Sequence, residues 1–186
     1  MRKIIVGLFT VVIIAGMGAF AWKACAAEEP MEQAEEKPTG GEAAGGGDCC
    51  KADDQTPPLD LIAATPRGGL HNPYNDKIAE IADQGHKDYL SAGCNGCHGG
   101  GGGGGMCPPL TNDTWVYGPD DDTLFRLIAL GSDELKKQGY KRIKQEVVVG
   151  PMPQFGTIVK TSDKLWKIIT YIRSVSPGSE KKPPLQ

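Results

Sequence analysis

The sequence predicts an all-α domain, and three observations predict it. Apolar residues recur at helical spacing in three separate stretches. Each stretch carries its own start or stop signal, and no alternating strand pattern competes. Between the stretches lie long loops rich in Gly and Pro, of which the chain has 26 and 14.

The first helix is expected from about Asp76 to Leu90, where Ile78, Ile81, Ala82, Gly85 and Tyr89 share one face. The second follows Asp120-Asp121-Asp122, whose charges suit the positive end of a helix dipole. It turns Leu124, Leu127 and Ile128 inward, and Gly131 is its expected stop. The third is capped by Thr161 or Ser162. Its stripe is Leu165, Ile168, Ile169, Ile172 and Val175, and it ends before Pro177.

The ends of the chain read differently. Arg2 and Lys3 precede an apolar run, Ile4–Phe20, and Ala24-Cys25-Ala26 offers small residues for cleavage after Ala26. Residues 1–26 are therefore expected to be a signal peptide. An uncleaved anchor is the alternative, since Ile4–Trp22 approaches the ~20 residues that span a bilayer. Either reading exports the domain to the periplasm, with the inner membrane involved only if the segment stays uncleaved. Residues 27–58 hold nine acidic side chains against Lys37 and Lys51 and lack apolar periodicity, so a flexible acidic linker is expected there. Residues 59–176 form the domain, and 177–186 an irregular tail. The net charge of −3 and the absence of a basic arm exclude a nucleic-acid binder.

Cys94-Asn95-Gly96-Cys97-His98 carries the chemistry. Two thiols three residues apart can each add to one vinyl group of a porphyrin, and the following imidazole can take the iron. A redox dithiol would need a βαβ context, and a zinc site a second ligand pair; neither is present. An accidental match would arise in roughly three of a thousand shuffled chains of this composition. One covalent haem c is the expected cofactor, and it would staple a domain whose three helices build only a modest core.

The second iron ligand is expected to be Met152, held between Pro151 and Pro153. Met106 follows the attachment site too closely, His86 reads as a surface or packing residue, and His71 is a minor competitor. The glycine run Gly99–Gly105 reads as a mobile surface loop. Lys136, Lys137, Lys141, Arg142 and Lys144 form a basic cluster, opposite in sign to Asp120–Asp122. It is either a docking patch or a solvated face. Cys49, Cys50 and Cys107 leave room for one disulfide and one thiol over; Cys107 with Cys49 or Cys50 is one pairing, and the connectivity stays open.

The order helix, CxxCH, Pro-x-Leu, Met-Pro and aromatic C-terminal helix resembles the class I cytochromes c over residues 76–175. That resemblance implies a monohaem fold with three or more helices around the haem. It implies that Gly85 and Tyr89 pack on Ile168 and Tyr171. It also implies that the carbonyl of Pro108, in Pro108-Pro109-Leu110, accepts the N–H of His98 and tunes it as a ligand. Cys107 stands where the family usually has Gly. Ser91–Gly99, Leu110–Trp115 and Leu124-Phe125 are similar to cytochrome cL, which accepts electrons from PQQ-dependent methanol and alcohol dehydrogenases.

These residues together imply an electron-transfer protein rather than an enzyme. A quinoprotein dehydrogenase is the expected upstream partner, and another cytochrome or an oxidase the downstream one. The alternative is a cytochrome subunit or donor serving a terminal oxidase or other membrane redox complex. A haem peroxidase or gas sensor would need an open axial position, against which Met152 argues.

Overall fold

The computed structural model describes residues 50–176. The signal or anchor, the linker as far as residue 49 and the tail from residue 177 lie outside the described residues. Five helices follow in order: α1 (Pro58–Ala64), α2 (Ile78–Ser91), α3 (Asn95–His98), α4 (Asp121–Lys137) and α5 (Ser162–Val175). There is no strand among the described residues, and the architecture is all-α as the periodicity predicts. None of these helices is long and apolar enough to cross a membrane.

The core is built around α5, which touches α1, α2 and α4. Leu165, Ile168 and Ile169 of the predicted stripe are fully buried, and so is Trp166 beside it. The ring of Trp166 packs on Phe125 of α4 with centroids 4.4 Å apart. A single-stripe reading misses Trp166 because α5 is covered from more than one side. Each such apolar side chain contributes roughly 1.5–3 kcal/mol by leaving water.

The α2–α5 crossing depends on Gly85. A Cβ placed there would lie 2.0 Å from the carbonyl oxygen of Lys167 and 2.9 Å from Cβ of Tyr171. Only a residue without a side chain lets the two backbones approach this closely. One turn further along α2, the Tyr89 ring meets Tyr171 at 5.1 Å. Ile168, the other expected partner, is buried in the same core.

Gly131 ends the first helical stretch of α4 as expected, leaving helical geometry at φ 77° and ψ 163°, and a second stretch then runs to Lys137. The two stretches meet at a kink on Gly131. Its conformation lies in a region that only glycine enters readily. The acidic run ahead of it is structural. Asp120 caps α4 by accepting from the N–H of Thr123 at 2.8 Å. Asp121 pairs with Arg173 of α5 at 2.7 Å. Asp122 is buried, receives Arg126 Nε at 2.9 Å and Tyr140 OH at 3.1 Å, and accepts the Leu70 N–H through its other oxygen.

Two features near the start were not legible in the periodicity. α1 is only seven residues long, too short for a helical repeat to register, although Pro58 sits at a first-turn position that favours proline. The expected linker also ends before residue 58. The carbonyls of Asp54 and Thr56 accept the N–H groups of Asp163 and Ser162 at 2.9 and 2.8 Å. The N–H of Asp53 donates to Asp163 Oδ1 at 3.1 Å. Helix starts have N–H groups without intrahelical partners, and this strap supplies acceptors for α5.

Candidate functional site

The motif cysteines sit where α2 turns into α3. The N–H of Cys94 donates to the carbonyl of Tyr89 at 3.2 Å, and those of Cys97 and His98 return to the carbonyl of Cys94 at 3.3 and 3.0 Å. One helical turn therefore presents both thiols and the imidazole together. Cys94 is buried, whereas Cys97 and His98 are half-buried. Burial is the main cause that pushes the Cys94 thiol up to about 11, so it stays protonated at neutral pH.

His98 Nδ1 lies 2.8 Å from the carbonyl oxygen of Pro108. A carbonyl can only accept, so Nδ1 carries the proton and the lone pair belongs to Nε2. That is the nitrogen a metal would take. A carbonyl behind an imidazole also fixes the ring's orientation and raises its basicity as a ligand. The hydrogen bond expected between His98 and the Pro108 carbonyl is thus present.

The glycine run is fastened rather than loose. Gly102 N–H donates to Gly99 at 3.1 Å, Gly104 N–H to His98 at 2.8 Å, and Cys107 N–H to Cys97 at 3.1 Å. Leu110 N–H closes the loop on the Gly102 carbonyl at 2.7 Å. Tyr89 OH and His86 Nε2 bind the carbonyls of Gly99 and Gly100 at 2.6 and 2.7 Å. The expectation of a mobile surface loop is corrected accordingly. Composition shows that a glycine run can fold back, but the partners that hold it come from elsewhere in the chain. This fold-back delivers Pro108 to His98.

Met152 lies on another element. Its N–H donates to Ser132 Oγ and its carbonyl accepts the Ser132 N–H, each at 3.0 Å. The kink at Gly131 makes room for this loop: a Cβ there would meet Met152 O at 2.7 Å. Met152 is half-buried against the core, while Met106 is 60% exposed. Gly131 and Ser132 were missed because their partnership with Met152 joins residues distant in sequence.

The competing histidines have other occupations. His86 stacks on Tyr171 with ring centroids 4.5 Å apart, the packing role expected of it. His71 is exposed, and its N–H donates to Cys50 Sγ at 3.3 Å. The basic cluster is partly satisfied locally. Lys136 pairs with Asp133 at 2.7 Å and Lys137 with Glu134 at 3.1 Å, and Lys144 reaches the carbonyl of Asp113 at 3.0 Å.

A family model described as cytochrome c oxidase, cbb3-type, subunit III matches residues 79–172, just over half of the chain. The chain belongs to this family of c-type cytochromes. No curated protein and no solved structure matches it. The match spans α2 to α5 and includes Cys94, Cys97, His98, Pro108 and Met152. The cytochrome is an electron-transfer protein rather than an enzyme, and its cofactor is covalently bound haem c with its iron.

The residues present fit that group. Two thiols one helical turn apart would take the vinyl groups. His98 offers Nε2 with its tautomer already set, and the half-buried Met152 offers a thioether. The bound iron supplies exchange of one electron at a time; the protein supplies ligands, a low-dielectric pocket and orientation.

Proposed function

We propose that the cytochrome is an exported single-electron carrier whose haem is bonded through Cys94 and Cys97 and ligated by His98 and Met152. The observation that carries this reading is the His98 Nδ1 to Pro108 hydrogen bond of 2.8 Å. With Nδ1 engaged by that carbonyl, Nε2 is the nitrogen left for a metal, and it belongs to the same helical turn as the two thiols. A His/Met pair fills both axial positions and raises the potential, which suits transfer and opposes peroxidase or gas-sensing chemistry. The apolar leader supports a periplasmic location, with attachment to the inner membrane if that leader is retained.

The partner is proposed on the oxidase side. The cytochrome delivers electrons to a terminal oxidase or another membrane redox complex, as the description of the matching family supports. A second reading rests on Ser91–Gly99, Leu110–Trp115 and Leu124-Phe125, which are similar to cytochrome cL. On that reading a PQQ-dependent methanol or alcohol dehydrogenase reduces the cytochrome.

Stopped-flow absorbance of the haem bands separates the two. Reduced cytochrome mixed with cbb3-type oxidase membranes should be oxidised within the enzyme's turnover time. Oxidised cytochrome mixed with a PQQ dehydrogenase and its alcohol should stay oxidised. The reverse pattern would overturn the oxidase assignment in favour of the quinoprotein.

A further inference from the structure

A glycine run has no side chains of its own to pack, and its backbone has more freedom to lose on ordering than any other. Gly99–Gly105 is nonetheless folded back tightly: Gly99 turns at φ 78°, and a Cβ there would meet the Gly104 carbonyl oxygen at 2.8 Å. Among the described residues, the side chains that hydrogen-bond to this run are His86, to the Gly100 carbonyl at 2.7 Å, and Tyr89, to the Gly99 carbonyl at 2.6 Å. They stand three residues apart on α2 and so share one face. Both are held from behind. Tyr89 is fully buried, and the His86 ring is stacked on Tyr171 of α5 at 4.5 Å with 25° between the planes. A carbonyl can only accept, so Nε2 of His86 is the donor. The far end of the same fold-back is the Pro108 carbonyl, 2.8 Å from His98 Nδ1.

We propose that His86 is a positioning residue for haem ligation: by clamping Gly100, with Tyr89 on Gly99, it keeps the Pro108 carbonyl on His98 and so sets the haem potential. The role needs no contact between His86 and the haem, because it is exerted through the glycine run. A carbonyl on Nδ1 makes the imidazole a stronger electron donor, and a stronger donor favours the oxidised, more positive iron. The clamp therefore holds the potential down, and releasing it raises the potential. Mere loosening of the domain acts with the opposite sign, since water entering around a haem also favours the more highly charged, oxidised iron. The inference rests on the reading of His98 as an axial ligand.

The test uses the haem-loaded full chain, with the potential read by spectroelectrochemical titration and exchange of the His98 ring N–H read by NMR of the reduced protein. His86→Phe keeps a ring for the Tyr171 stack and removes the donor, whereas His86→Gln gives up the ring and keeps an amide donor. In His86→Phe the potential should rise, and the ring N–H should exchange about tenfold faster, as loss of one hydrogen bond allows. In His86→Gln both should stay near the wild type. An unchanged exchange rate in His86→Phe, or a potential that stays or falls, would overturn the proposal, and so would a His86→Gln that behaves like His86→Phe. If His86→Phe yields no folded protein, Tyr89→Phe carries the test. It removes only the hydroxyl on Gly99 and should raise the potential; no rise defeats the clamp. The ligand reading fails separately: a His98 ring whose resonances in the reduced wild type lack the upfield displacement imposed by an overlying macrocycle is not an axial ligand.

Discussion

At the level of single residues, the site separates into groups proposed to hold the haem and groups that aim them. Met152→Ala should abolish the thioether-to-iron absorption band of the oxidised protein while leaving haem attachment intact; a persisting band would remove Met152 as a ligand. Asp122 serves stability instead. It is buried with Arg126 and Tyr140, and removing one member of a buried ion pair strands the other. Asp122→Ala is expected to cost about 3–5 kcal/mol, read from denaturant midpoints. Burial first, and then the Asp122 charge, pushes the Tyr140 phenol up to about 12 from 10.0. In that interval the folded chain holds a proton the unfolded chain has lost, so stability is full below pH 10 and falls toward pH 12. Tyr140→Phe should flatten that fall in unfolding midpoints measured across the alkaline range. An unchanged slope would assign it to the other raised phenols, Tyr74, Tyr89 and Tyr171.

At the level of elements, two glycines decide how helices meet. Gly85→Ala drives a methyl group into the backbone of α5 and should cost about 3 kcal/mol or more, since a carbonyl cannot move aside as a side chain can. Gly131→Ala should cost about 2 kcal/mol through its conformation alone. It should also weaken the thioether band, because the displaced loop is the one that carries Met152. An unaltered band would detach the kink from the site. The sequence shows three of the five helices because α2, α4 and α5 each bury a periodic stripe. It does not show α1, too short to repeat, or α3, whose single turn takes its form from the attachment motif. Cys94, Cys97 and His98 stand out because their pattern is local, and Pro108 was reached only through the resemblance to class I cytochromes c. The Gly131–Ser132 seat for Met152 was not legible, because its two halves lie far apart in sequence.

At the level of the whole molecule, α1, α2 and α4 pack on one central helix, α5, and the haem is bonded covalently to the same chain. The haem-free chain should melt at a lower temperature than the loaded one in calorimetry, since on the proposed ligation by His98 and Met152 the apolar macrocycle would tie α3 to the Met152 loop. Equal melting temperatures would show that the polypeptide core is self-sufficient. The strap formed by residues 53–57 bears on a different property. Asp53, Asp54 and Thr56 bond to Asp163 and Ser162, and Cys50 ahead of them accepts the His71 N–H, so the start of the described chain is held on the first turn of α5 and beside His71. Mechanical tension arriving from that direction would load those few hydrogen bonds and the axis of α5 first. They would act as a fuse, peeling away before the pull reached the bonds around His98.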